Sequence, residues 1–373
     1  ILSDGWDRGD PDFLAEQMQR LSRVAHRIVW VNPLKVTPGY APLARGMAAA
    51  LPHVDAFVEG HSLAAIEELD YRLNLAARSL RTNQTRTIAI VIPTISEPVI
   101  NQVVEAVEDA AITADYTLLM CSTRGDAQRE QAYIEQITQQ TAVDGILYIS
   151  PRSAPEHVLK LAQSEIPLVV CNYRAEGLGA PSILFDHVSS IAQATRHLLD
   201  LGHRRIALLN LAAPFYYPAR MRREGFEQAF AGAGLALDPS LIIQLEQPTY
   251  NTDEWRTAIE TLLDRPDRPT AIVAFNDAVA FEVYAVCRAW GLRIPEDLSV
   301  TGCDDTLSAR YVNPPLTTVR IPASRQGHLA MDYLLARMNG TGPSNPPLTL
   351  LDVELVVRES CAQPAPGSHT LEE

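Results

Sequence analysis

A chain of 373 residues, 47% hydrophobic and 20% charged, is long enough for two or three packed domains. No apolar run reaches the roughly 18–20 residues of a membrane span, so no membrane partner is expected. The five cysteines lie far apart without a Cys-x-x-Cys pair, as suits thiols in a reducing cytoplasm. A formal charge of −14 opposes DNA phosphates over the body of the protein, leaving any DNA contact to a small dedicated element.

Taken in chain order, Ile1–Asp4 reads as the end of a strand, and Pro11–Arg27 as a helix opened by Asp10 and Pro11. A strand at Ile28–Val31 and a helix at Tyr40–Leu51 follow, with Asp55–Glu68 leading onward. No basic stretch with an apolar core and a small-residue cleavage site precedes them, which agrees with a cytoplasmic location. From Thr87 the chain alternates. Strand-like Thr87–Ile92 (TIAIVI) precedes Asn101–Ala114, whose apolar residues fall at helical spacing. Strand-like Tyr116–Met120 then leads into the amphipathic stretch Gln128–Gln140. Val143–Ile149, Pro167–Cys171, Ser182–Phe185, Arg205–Leu209, Leu241–Gln244, Thr270–Phe275 and Leu298–Gly302 continue the strand series. Strands apolar on both faces and separated by amphipathic helices imply parallel sheets covered on both sides. Two such sheets fit in the roughly 270 residues available, giving an α/β fold of two doubly wound lobes preceded by a partial α/β unit. The polar stretch Gln363–Glu373, with two prolines, reads as a frayed tail.

No G-x-S-x-G, H-E-x-x-H or G-x-x-x-x-G-K-[ST] occurs, so the chain is not expected to be an enzyme. Several segments in order instead resemble the LacI-type (lactose-repressor) regulators. Asn74–Leu80 (NLAARSL), running into Arg81–Pro93, looks like the hinge helix and first core strand of that family. Asp144–Leu147 (DGIL), His197–Ile206 (HLLDLGHRRI), Ala219–Phe226 (ARMRREGF), Pro269–Ala280 (PTAIVAFNDAVA), Gly291–Asp305 (GLRIPEDLSVTGCDD) and Pro314–Thr318 (PPLTT) match in turn. The resemblance runs from about Tyr71 to about Glu359. It implies a periplasmic-binding-protein-like (type I) core, with residues 87–187 and 318–345 in the N-terminal lobe and 188–317 and 346–360 in the C-terminal lobe. A hinge helix and linker would occupy 71–86, and 361–373 would form a flexible tail. One departure stands out: no helix-turn-helix precedes the hinge. Residues 1–70 instead resemble the C-terminal part of a CoxE-like von Willebrand factor A domain. Asp4 occupies its S-D-G turn, but the D-x-S-x-S partner is absent, so no metal is expected.

The resemblance also implies a small polar effector, a sugar or a nucleoside, bound between the lobes of a homodimer and controlling operator DNA binding. No cofactor is implied. Arg222 can offer a guanidinium fork, Asp304 can accept from two hydroxyls, and Asn276 presents a donor and an acceptor. Phe215, Tyr216 and Tyr217 form an aromatic triple, and one of them or Tyr250 would stack on a ring. Asp186 and His187 enter the lobe crossover, while Ile95, Ser96 and Val99 follow the first core strand. Here the family often has N-P-F-F and this chain has E-P-V-I. Asp277 and Asp305 are expected as capping or loop carboxylates. In the hinge, Arg78, Leu80 and Arg81 would meet the minor groove, with Leu80 as the wedge. Two other readings stay open: a solute-binding receptor of a transporter, and a regulator core without a DNA reader that acts only as a sensor.

Overall fold

The computed structural model describes residues 10–25, 28–32, 45–59, 84–139, 143–150, 156–173, 177–212, 216–245, 252–343 and 347–365. The chain divides into two compact units, 1–78 and 79–373.

In the first unit, α1 (Pro11–Val24) starts as its sequence dictates: the Asp10 carboxylate accepts the Asp12 N–H, and Pro11 takes a position whose amide has no helical partner. Strand β1 (Val29–Asn32), helix α2 (Arg45–Ala50) and strand β2 (Ala56–Glu59) follow, and β1 and β2 pair in parallel. Met18, Ile28, Trp30, Met47 and Ala50 form a small core. The expected hinge, with Arg78, Leu80 and Arg81, lies outside the described residues.

The second unit holds two six-stranded sheets. The first begins with β3 (Thr87–Ile92), α3 (Pro98–Thr113), β4 (Thr117–Ser122), α4 (Ala127–Gln139), β5 (Gly145–Ile149), α5 (Glu156–Ala162), β6 (Leu168–Cys171) and β7 (Ser182–Phe185). The chain then crosses to the second sheet through α6 (His187–Asp200), β8 (Ile206–Leu211), α7 (Tyr217–Gly232), β9 (Ile242–Leu245), α8 (Thr252–Leu263), β10 (Ala271–Ala274), α9 (Asp277–Trp290), β11 (Ser299–Asp304) and β12 (Thr317–Arg320). Helix α10 (Ala323–Met338) returns to the first lobe, β13 (Leu348–Leu351) adds to the first sheet beside β7, and β14 (Glu354–Val356) pairs antiparallel with β12. The orders are β13-β7-β6-β5-β3-β4 and β14-β12-β11-β10-β8-β9, with every pair except β12–β14 parallel. This is the doubly wound, two-lobed architecture expected of the strand pattern.

The strands are apolar throughout because both faces are covered. In β3, Ile88, Ile90 and Ile92 face the core beneath α3 and α10, whereas Ala89 and Val91 face the one beneath α4 and α5. In the second lobe, Ile206 and Leu208 of β8 meet α6 and α7, and Ala207 and Leu209 meet α8 and α9. No described helix is long and apolar enough to cross a membrane.

The segment from β12 onward partitions differently from the expected lobe boundaries. Strand β12, at 317–320, belongs to the second sheet, and β13, at 348–351, belongs to the first. Its hydrogen-bond partner β7 lies far back in the chain, so pairing across the sheet edge, which a linear boundary ignores, decides its lobe. Residue 362, assigned to the expected flexible tail, is held in place. The Ala362 carbonyl accepts from His203 Nε2 at 2.9 Å and its N–H donates to Ser299 Oγ at 3.1 Å.

Two glycines set helix spacing. A Cβ on Gly225 of α7 would lie 2.1 Å from the Val188 carbonyl oxygen of α6, and one on Gly327 of α10 would lie 2.5 Å from the Val103 oxygen of α3. Both obstacles are backbone and cannot swing aside. Gly225→Ala is expected to destabilise the protein by about 1–3 kcal/mol. In urea unfolding, the midpoint should fall without a change of slope; an unchanged midpoint would show that α6 can shift freely.

Candidate functional site

The carboxyl ends of the strands of both sheets face a cleft containing about 540 Å³ of empty space, including its open mouth. The first lobe contributes Pro93, Glu97, Val99 and Ile100 from the β3–α3 connection and start of α3, and Asn172 beyond β6. Phe185 and His187 stand at the first crossover, and Ile321 at the second. The second lobe supplies Tyr216, Pro218, Arg222, Phe275, Asn276 and Asp304.

Arg222 is 5% exposed. Its Nη1 donates to the Phe275 carbonyl at 2.5 Å, its Nη2 points to Cys303 Sγ at 3.7 Å, and its guanidinium carbon lies 4.0 Å from the Phe275 ring centroid. A cation over a desolvated ring contributes about 2 kcal/mol. Neither helical glutamate takes Arg222: Glu227 pairs with Arg223 at 2.7 Å, and Glu224 accepts from Gln228. Arg222 Nε has no hydrogen-bond partner in the structure.

His187, the first residue of α6, is 5% exposed, and both its ring nitrogens lack partners. Phe185 and Tyr217 meet it edge-on at 6.0 and 6.5 Å between centroids. Burial, reinforced by the Arg222 charge, holds the imidazole well below its ordinary titration range, so it is neutral.

Asp304 ends β11 with φ 125°, and Asp305 follows with φ 51°, two consecutive residues in a conformation that L side chains rarely adopt. Burial raises the Asp304 carboxyl well above the ordinary carboxylate range; Arg222 opposes the rise, and Asp277 and Glu97 add to it. Asn276 caps α9, its Oδ1 accepting the Val279 N–H at 3.0 Å. The acceptor expected for a ligand is therefore engaged by the helix, although the residue still lines the cleft.

Of the expected contacts, Arg222, Asn276, Asp304, His187, Tyr216 and Val99 come together here. Asp186 and Ser96 do not line the cleft. The Asp186 carboxylate caps α6 by accepting the Ser189 N–H, and exposed Ser96 sits in a local turn with its N–H on Thr94 Oγ1. Phe215 and Tyr250 lie outside the described residues. Asn172, Phe275 and Glu97 were not anticipated. Asn172 has φ 63°, and its Oδ1 accepts from Gln326 Nε2 at 2.9 Å, tying β6 to α10. An asparagine directly after an apolar strand was the available signal, since this residue tolerates positive φ.

Comparison with known proteins identifies this two-lobed architecture. Residues 195–361 match the Periplasmic binding protein-like domain family, and residues 1–66 match the VWA domain containing CoxE-like protein family. The chain is 33% identical over 297 residues to the ribose operon repressor of Haemophilus influenzae, covering 79% of this chain and 87% of that protein. It belongs to the LacI-type family of transcriptional regulators. Among other LacI-type proteins, the HTH-type transcriptional repressor PurR of Aliivibrio fischeri is 32% identical over 278 residues, covering 74% of this chain and 81% of that one. The solved structure of a LacI family transcriptional regulator from Enterococcus faecium with bound ribose superimposes with a TM-score of 0.66. That match is 25% identical and covers 74% of this chain and 99% of that structure.

His187 links the cleft to pH. Because its folded-state value is depressed, folding is penalised as pH falls below the ordinary histidine range, where the unfolded chain gains a proton and the buried ring does not. Replacing it by Leu removes that penalty. Below pH 6.5, the stability difference should move in favour of His187→Leu by up to about 1.4 kcal/mol per pH unit. Denaturant unfolding between pH 7.5 and 5 measures it, and parallel curves for the two proteins would mean that the ring protonates in place.

Proposed function

We propose that this chain is the effector-sensing core of a repressor, closing its lobes on a small polar ligand of the sugar or nucleoside class and thereby changing its affinity for operator DNA. One observation carries the reading: Arg222 Nε and both nitrogens of His187 are buried in the cleft without partners. Buried polar atoms are nearly always satisfied, and a ligand with several hydroxyls supplies what is missing. Asp304 and Asn276 flank the same space, and Tyr216 and Val99 provide apolar contact.

A ligand drives the change only through different affinities for the open and closed lobes. Contacts from both lobes around one cleft give it that leverage. The relatives' function favours binding over bond-making, in a cytoplasmic homodimer, with Arg78, Leu80 and Arg81 as the DNA contacts. The ribose named for two of the similar proteins makes D-ribose the first probe. The match of residues 1–66 to a VWA family favours a second reading, a sensor that does not read DNA itself. It predicts effector binding with no effector-dependent change in duplex DNA binding.

The decisive measurement is a thermal-shift screen with D-ribose, other sugars and nucleosides, run beside Arg222→Ala. A ligand at a hundred times its dissociation constant adds about 2.7 kcal/mol of stability. The expected result is a shift in the wild type that disappears in the variant. No shift with any compound, or an equal shift in Arg222→Ala, overturns the reading.

A further inference from the structure

Asp277 is completely buried and follows Asn276, which lines the cleft. Its Oδ2 accepts the Thr306 N–H at 2.7 Å and the Thr306 hydroxyl at 2.9 Å, and its Oδ1 accepts the Thr318 hydroxyl. One carboxylate thus joins the start of α9, the turn after β11 and strand β12. Gly302 makes the room: a Cβ there would lie 2.4 Å from Asp277 Oδ1. The turn so anchored contains Asp304 and Asp305, both with positive φ. The Asp305 N–H points to Thr318 Oγ1 at 3.4 Å, and its carboxylate is held by Arg358 and Arg320.

We infer that Asp277 is the positioning residue that keeps the Asp304–Asp305 turn in its left-handed form and so presents the Asp304 carboxylate to the effector. The inference rests on the reading above, in which Asp304 contacts that effector. Three hydrogen bonds to one buried carboxylate offset the conformational penalty of two strained residues, and none of the three donors belongs to the ligand site. The arrangement also couples the cleft to pH. Burial pushes the Asp277 carboxyl up to about 6, with the Thr318 and Thr306 hydrogen bonds opposing the rise and Asp305 adding to it. Asp304 and Cys303 face it from β11 and Tyr284 from its own helix, while Arg320 of β12 is directed to Asp305. As pH falls through that value, one oxygen becomes a donor and an accepted hydrogen bond is lost.

The test uses the intact chain and reads the turn without a ligand, through the backbone amide NMR signals of Asp304, Asp305 and Thr306. In the wild type, the Thr306 amide should titrate with a midpoint near pH 6. In Asp277→Asn that titration should vanish and the three signals should shift or broaden, while the Val279 amide, capped by Asn276, stays put. Thr318→Val keeps the side-chain shape but removes one donor, so it should move the midpoint upward; it carries the test if Asp277→Asn does not fold. Calorimetric titration with D-ribose at about pH 7.5 should show roughly tenfold weaker binding in Asp277→Asn. Turn signals unmoved by Asp277→Asn, an unchanged midpoint in Thr318→Val, or equal ribose affinity in wild type and variant overturns the inference. Failure of the wild type to bind ribose counts against ribose as the effector, and the NMR signals then decide the role of Asp277.

Discussion

The second lobe is organised around a buried cation held without a carboxylate partner. Arg222 leaves α7, donates to the carbonyl at the end of β10, meets the thiol of Cys303 on β11 and lies flat on the Phe275 ring. A guanidinium removed from water is costly unless its donors are used and its charge is balanced. Here the ring face and the carbonyl dipole do part of that work. Several other features follow from this placement. The Arg222 charge reinforces burial in keeping the His187 imidazole neutral, and the strand ends of β10 and β11 are locked to α7. A cleft wall held this rigidly leaves a ligand little to reorganise when it arrives.

The strands were legible wherever both faces are buried, because such segments must be continuous runs of β-branched and aliphatic residues. Ser182–Phe185 matches to the residue, and Thr87–Ile92 does as well. The final strands were not legible. β13 has leucines at 348 and 350 half-exposed, follows a proline-rich stretch, and owes its place to β7, which lies well over a hundred residues earlier. Short edge strands carry little periodicity, so only the folded sheet reveals them.

The cleft divides in a similar way. Arg222, Asn276, Asp304 and His187 were legible because motif positions at strand ends and helix starts point into the crevice of an open α/β sheet. Asp186 and Ser96 stand beside the cleft in sequence, yet local backbone bonds claim them, as short polar side chains often allow. Phe275 was read as strand and turned out to be the platform for Arg222, a role that depends on α7 crossing the end of β10. Asp277 was read as a cap; its partners Thr306 and Thr318 come from segments 29 and 41 residues away, a separation that no local pattern encodes.

The three crossings between the lobes, near residues 186, 322 and 352, also have a consequence for biosynthesis. The first sheet is built from residues 87–185, but its α10 cover and its sixth strand are encoded at 323–338 and 348–351. During synthesis, Ile88, Ile90 and Ile92 therefore emerge from the ribosome long before the helix that shields that face of the sheet. The second lobe, by contrast, has every strand but β14 once residue 320 has been made. Five of the second lobe's six strands can therefore pair before the first lobe has its α10 cover, and that face of the first sheet must wait, uncovered, until residue 338 has been made.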